Sequence, residues 1–410
     1  MAWRETLGRY KVELLLFVLS LGAYAFSSGS LLAHQSLAPH FVYQADAFLH
    51  GQLHLTVARP PNLNDWVLMN GRWYVSFPPG PAILMMPFVA IFGLKANDVA
   101  FTIVFAAANV ALFYRLLRRL DQAEGGGRPA FEHAALSIIF GFGTLAWSCG
   151  IRGEVWFTAE TVGVTCTLLY LHAALRAAHP AWAGFFLAFG TITRTPLALA
   201  FPFFLCEALS PDGPVSWAKL REGKRWREAF PKLLEFAGAA FVVLVPVAIV
   251  NVVRFGSPTE FGHSHLYANR VNEQIEKFGL FHYAFLERNL HAAFTRLPEI
   301  HFHPLKVGFN GEGMSLFVTT PLLLYLLWPR QKPRLHRALW ATVLLVAIPG
   351  FFYQNSGWFQ FGFRFALDYT PYLILLVAIG GHRFSRLFQV VALAGIVVNA
   401  WGAAVFNRLY

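Results

Sequence analysis

Apolar runs of about twenty residues recur along the whole chain, and each matches the ~30 Å hydrocarbon core of a bilayer. Backbone inside lipid must satisfy its own hydrogen bonds, so successive runs of this kind fold as helices. Candidate spans cover residues 12–33, 98–117, 133–151, 155–175, 181–193, 196–209, 234–253, 314–328, 336–353, 369–382 and 386–404. The expected fold class is an all-α polytopic membrane protein of about 11 transmembrane helices, a single integral membrane domain over residues 1–410. Composition agrees: 13% of the residues are charged, against about 25% in soluble domains, too few to solvate a large globular surface. The first run, Val12 to Ala33, is long enough to span and lacks a clear cleavage site, so it reads as a helix rather than a signal peptide.

The formal net charge is +11, but the basic residues fall in short clusters between the apolar runs. That is how topology determinants are distributed, and nucleic acid is not an expected partner. The rule places the N-terminus (Arg4, Arg9, Lys11) and the loops at 115–128, 210–232, 330–337 and 383–386 in the cytoplasm, in a chain of the inner (plasma) membrane. Two long segments, 34–97 and 254–313, then lie outside the cytoplasm. If Pro78 to Gly93 spanned fully, Arg115, Arg118, Arg119 and Arg128 would lie outside, so it reads as a re-entrant or interfacial segment. The short runs 181–193 and 196–209 read as a hairpin turned by Arg194-Thr195-Pro196 near the outer side.

Each long loop carries an amphipathic stretch. In the first, Phe41, Ala45, Phe48 and Leu49 oppose Tyr43, Asp46 and His50. In the second, Phe281, Phe285, Leu290, Phe294 and Leu297 form a stripe, with Glu287, Arg288, His291 and Arg296 away from it. Such helices are expected in the headgroup plane, in contact with membrane lipids.

Charge in a membrane is costly and usually functional. Asp46, Asp65, Arg152, Glu154, Glu160, Arg194, Arg254, Arg364 and Asp368 all fall outside or in the outer third of the threading. On the cytoplasmic side Gly125-Gly126-Gly127 is followed by no Lys-Ser/Thr, so no phosphate loop is expected there. Cys149, Cys166 and Cys206 lie within or at the ends of apolar runs and show neither disulfide nor metal spacing. His263/His265 and His301/His303 would share a side only in an extended segment. In that case they could hold a divalent metal, but loop histidines are more often unliganded, so none is indicated and no cofactor is required.

The first loop reads Tyr43-Gln44-Ala45-Asp46-Ala47-Phe48-Leu49-His50-Gly51, then Asn64-Asp65-Trp66, Asn70-Gly71-Arg72-Trp73-Tyr74 and Phe77-Pro78-Pro79-Gly80-Pro81. It resembles the membrane glycosyltransferases of the GT-C class that use polyprenyl-phosphate sugars, above all the branch of the protein O-mannosyltransferases and the lipid A aminoarabinose transferase. There too a tyrosine and a small-residue helix lead through an "NG…Y" segment to a Pro-Pro pair opening the next apolar run. The resemblance implies inverting transfer of a sugar from a polyprenyl-phosphate-linked donor to a glycan, lipid or protein acceptor.

In those relatives a catalytic acid stands about four positions before the tyrosine. Here that place is Pro39, followed by His40, and Asp46 and Asp65 are the carboxylates left before the Pro-Pro pair. Asp65, between a polar and an aromatic residue, is preferred as the base; Asp46, a helical turn before His50, is the alternative. Arg364 is the expected donor-phosphate ligand, four residues from Asp368 and placed to pair with it on a helix. Arg194 and Arg152 are further phosphate candidates. His40, Tyr43, Glu154, Trp66, Tyr74 and Asp368 are candidates for sugar or acceptor contacts. Two alternatives stand beside the enzyme: a transporter or lipid flippase, and a non-catalytic assembly partner.

Overall fold

The computed structural model describes residues 10–125, 127–267 and 269–406. Among the described residues, four helices are long and apolar enough to cross a membrane: Lys11–Ser28 with its 3₁₀ extension to Ala33, Asp98–Glu124, Gly223–Phe255 and Arg386–Val405. Shorter apolar helices follow the remaining predicted runs, among them Gly80–Phe92, Ala130–Phe142, Pro180–Thr191, Phe201–Leu209, His336–Phe352 and Thr370–Ile379, beside the largely buried helix Val155–Ala174. The run at 314–328 is a broken piece, Leu316–Thr319 followed by a 3₁₀ stretch Pro321–Leu327. Pro321 at the second element's start has no N–H to continue the first. Phe241, Val242, Ile249 and Val253 on one long helix, and Leu387, Val390, Leu393 and Val397 on another, are exposed. Apolar surface of that extent suits contact with lipid, not water, and the chain is a membrane protein.

Helices Asp98–Glu124 and Val155–Ala174 are joined by polar groups that satisfy one another. Asn109 donates to the Thr161 carbonyl and accepts from the Thr165 hydroxyl (2.6 Å), and the Thr102 and Thr158 hydroxyls meet at 2.7 Å. Such bonds hold helices together where lipid offers no hydrophobic drive.

Two expectations for the loops need correction. The described residues are not all helical: Trp66–Met69 pairs antiparallel with Arg72–Val75, and Glu299–Phe302 with Leu305–Gly308. The first hairpin turns on Asn70-Gly71, both at positive φ, the backbone that a two-residue hairpin loop requires. The first amphipathic stretch is not a surface helix. His40–Leu49 packs against Gly80–Phe92, with Asp46 8% exposed and His40 fully buried. The second stretch is cut into a 3₁₀ turn, a single α-turn and a π-turn over 283–295.

Gly80 explains how the first loop is set against the core. Its N–H donates to the Ile192 carbonyl at 2.7 Å. A methyl group there would meet the Thr193 hydroxyl at 2.2 Å and the Ile192 carbonyl oxygen at 2.9 Å. Because one obstacle is backbone, Gly80→Ala should push the segments apart and destabilise the fold by about 1–3 kcal/mol. A lowered Tm in detergent is the measurement, and an unchanged Tm would show that this contact is not tight.

Candidate active site

One face of helix Val155–Ala174 organises the site. Trp156, Ala159, Glu160 and Gly163 follow the three- and four-residue steps that stack side chains on one side of a helix. Trp156 Nε1 donates to Asp65 Oδ2 at 2.9 Å. Glu160 accepts from Arg364 Nη1. Gly163 leaves room for the aliphatic stem of Arg194, whose Cγ would lie 3.0 Å from any Cβ at that position. About two turns of helix thus touch three candidate residues from distant parts of the chain.

Asp65, Arg194, Arg364 and Asp368 line one cavity of about 930 Å³. The second loop adds Glu260 and His263, and Leu199, Leu244, Val247, Val346 and Ala347 form an apolar flank. Asp65 has φ +58°, a left-handed backbone that Asp adopts more readily than most residues. Its carbonyl is held by the Ser76 hydroxyl at 2.7 Å. Burial raises the Asp65 carboxyl above its ordinary value, while the Trp156 N–H and the charge of Arg364 pull it back down. Burial holds His263 down at about 4, so its ring is neutral near pH 7. Burial would also raise Glu260, but bonds from the Ser264 hydroxyl and the Gly262 and Ser264 amides bring it below the usual range.

The two guanidiniums pair differently from the sequence-based expectation. Arg364–Asp368 is a 3₁₀ helix; at three residues per turn, positions four apart point about 120° away from each other. Arg364 therefore pairs with Glu160 and also donates through Nε to the Gly357 carbonyl at 3.1 Å. Asp368 is gripped by Arg194 instead, Nε to Oδ1 at 2.9 Å and Nη2 to Oδ2 at 2.6 Å. Both guanidiniums stand near the Phe365 ring, 5.3 Å for Arg194 and 4.9 Å for Arg364. Arg364 Nη2 and Arg194 Nη1 make no hydrogen bond to described residues, and neither is sealed from the cavity.

The other candidates lie elsewhere. Arg152 is bound to Glu154 and to the Phe406 carbonyl, with 3% and 8% of the two side chains exposed; the pair is buried away from the cavity lining. Asp46 accepts from the Thr56 hydroxyl at 2.5 Å, and the His50 ring stands 3.7 Å away. The loop that returns from His50 to Thr56 covers it, which is why it is not on an outward face. His40 is stacked on Trp66 with ring centroids 3.8 Å apart, Tyr43 meets Trp66 edge-on at 5.9 Å, and Tyr74 packs on Phe255. The rings of His40, Tyr43, Trp66 and Tyr74 form the body of the first loop behind Asp65 rather than the cavity lining, to which Phe255 belongs. Among the described residues, no group of three or more His, Cys, Asp or Glu is placed to hold a metal ion.

Sequence reasoning missed Trp156, Glu260 and His263 as parts of the lining and left Glu160 without a role. The 156/160/163 spacing was a readable signal for the helix face. The second-loop residues carried none, because no periodicity ties them to a site.

The fold is similar to that of ArnT from Cupriavidus metallidurans bound to undecaprenyl phosphate, at 13% identity and a TM-score of 0.55, covering 94% of this chain and 63% of that one. It is also similar to the Archaeoglobus fulgidus oligosaccharyltransferase tethered with an acceptor peptide, at 14% identity and a TM-score of 0.50, covering 98% of this chain and 56% of that one. The chain thus spans less than two thirds of either structure's length. No curated protein sequence matches it. A family model does, from Tyr74 to Pro349, a stretch that takes in Glu160, Arg194, Glu260 and His263, and by this match the chain belongs to glycosyltransferase family 87.

Proposed function

We propose that the protein moves a sugar from a polyprenyl-phosphate donor to a hydroxyl of a glycan, lipid or protein acceptor outside the cytoplasm. The observation that carries this reading is a carboxylate and two guanidiniums with unbonded terminal nitrogens around one cavity with an apolar flank. Asp65 takes the proton of the acceptor hydroxyl as its oxygen attacks the anomeric carbon. The bond from that carbon to the phosphate oxygen breaks, and the electron pair leaves on the lipid phosphate. Arg364 Nη2 and Arg194 Nη1 meet that growing charge, while Glu160 and Asp368 fix the two guanidinium planes in advance. A single displacement inverts the anomeric centre, and no step calls for a metal or a nucleotide.

The apolar residues from Leu244 to Ala248 and from Val346 to Pro349 suit the first isoprene units of the donor. The fold likeness to ArnT, a structure bound to undecaprenyl phosphate, supports the same donor class. Purified protein incubated with a radiolabelled polyprenyl-phosphate sugar and a mixed acceptor extract should transfer label. Binding without transfer would favour a flippase or an assembly partner.

On this reading about eleven spans cross the inner membrane, the N-terminus is cytoplasmic, and loops 34–97 and 254–313 lie on the outer side. Between Lys219 and Lys232 stand six positive charges, Lys219, Arg221, Lys224, Arg225, Arg227 and Lys232, and such clusters stay in the cytoplasm. With an impermeant maleimide on intact cells, Gln274→Cys should label and Gly223→Cys should not. The opposite pattern would reverse the topology and with it the compartment of the reaction.

A further inference from the structure

Arg254 ends the long helix Gly223–Phe255 and is 4% exposed. No carboxylate pairs with it among the described residues. Its Nη2 donates to the Val75 carbonyl, while Nε and Nη1 are buried with no partner. The guanidinium lies over the rings of Phe255 (4.5 Å) and Tyr74 (5.8 Å). Burying a cation this deeply without a counter-charge is expensive; the helix C-terminus and the two rings offset part of the cost. A residue that served only to fill this space would be apolar.

The bond to Val75 leads towards the cavity. Val75 ends the strand whose partner, Trp66, follows Asp65, and the two are paired in register. The next residue, Ser76, donates its hydroxyl to the Asp65 carbonyl. From the other side the second loop closes on the same hairpin. Leu266 bridges Val67, Tyr267 N–H donates to the Trp66 carbonyl at 2.8 Å, and a Cβ on Gly262 would stand 3.0 Å from Ser76 Cα. Asp65 is therefore held in its left-handed backbone by a segment clamped between Arg254 and the second loop.

We infer that Arg254 is a positioning residue: its bond to Val75 sets the Val75–Ser76 segment, which aims the Asp65 carboxylate at Trp156 and the cavity. The inference rests on the reading of Asp65 as base. Asp65 shares its cavity with the charged or titratable groups Arg364, Arg194, Asp368, Glu260, His263, His265, Tyr353 and Tyr369, and His40 packs behind it. The hydrogen bond from Trp156 and the charge of Arg364 are what lower its carboxyl.

The test compares Arg254→Met, Arg254→Lys and Ser76→Ala in the transfer assay, each alone and with Asp65→Asn. Arg254→Met should lower kcat at least tenfold with KM for donor within about twofold. Its acidic pH limb should move to higher pH, because an Asp65 turned from Trp156 and Arg364 loses the two influences that lower it. Arg254→Lys, which keeps the charge and one donor, should recover part of kcat. Ser76→Ala, missing a single hydroxyl, should reproduce the pH shift even if Arg254→Met fails to fold. In the Asp65→Asn background none of the three should lower kcat further. Arg254→Lys and Ser76→Ala with unchanged kcat and pH limb would overturn the positioning role and leave the base in place. An Asp65→Asn protein with full activity would instead remove the base reading on which the inference stands.

Discussion

Asp65→Asn should lower turnover about 10²–10⁴-fold, the usual contribution of a general base, while donor binding stays within about twofold. The amide keeps the side-chain shape and can still accept the Trp156 N–H that holds Oδ2 at 2.9 Å. What it loses is the lone pair able to take the acceptor proton. The wild-type pH profile should report the same group. The active form is the carboxylate, and burial raises its proton affinity above the ordinary value. The rate should therefore fall on acidification at a pH above that of an exposed Asp, and this limb should vanish in Asp65→Asn. Asp46→Asn is the comparison: its carboxylate is spent on Thr56 and lies outside the cavity lining, so turnover should change less than threefold in correctly folded protein. Asp65→Asn with wild-type turnover would reject Asp65 as base, and a large loss in folded Asp46→Asn would point to Asp46.

Arg364 carries the second large effect. Arg364→Ala removes a phosphate ligand and also leaves Glu160, fully buried, without its cation. Breaking a buried pair by deleting one partner costs about 3–5 kcal/mol, so this variant alone confuses stability with catalysis. Arg364→Lys separates them. The ammonium still neutralises Glu160, but cannot reach Glu160, the Gly357 carbonyl and a phosphate oxygen from one fixed plane. Its Tm should stay near wild type while kcat for the polyprenyl-phosphate donor falls at least tenfold. Glu160→Gln, which keeps a neutral acceptor for Arg364, should retain more activity than Arg364→Lys. Full activity in folded Arg364→Lys or Arg364→Ala would remove the phosphate role. Asp368 is no control for Arg364, since its bonds go to Arg194.

Much of the architecture could be read from sequence because lipid imposes one strong rule. Segments that must bury every backbone polar group become apolar helices, and their lengths and flanking charges are local properties. Thus the runs at 12–33, 98–117, 234–253 and 386–404 correspond to long helices. The break at Arg194 and the start of a helix after Pro78-Pro79 were legible from proline. The Asn70-Gly71 turn was equally legible and was passed over as a motif rather than recognised as a hairpin.

The site divides along the same line. Sequence alone marked nine ionisable groups near the outer ends of the apolar runs, because such groups are few and costly, and four of them, Asp65, Arg194, Arg364 and Asp368, line the one cavity. It assigned their partners wrongly, pairing Arg364 with Asp368 through an α-helical spacing that a 3₁₀ turn does not keep. Which carboxylate meets which guanidinium depends on contacts 174 and 204 residues apart in sequence, and no local pattern encodes them. Between Asp46 and Asp65 a linear reading gives Asp65 only a preference, from its polar and aromatic neighbours. The tertiary structure parts them, because the return of the chain at Thr56 covers one carboxylate while the hairpin, Ser76 and the Trp156 face turn the other into the cavity.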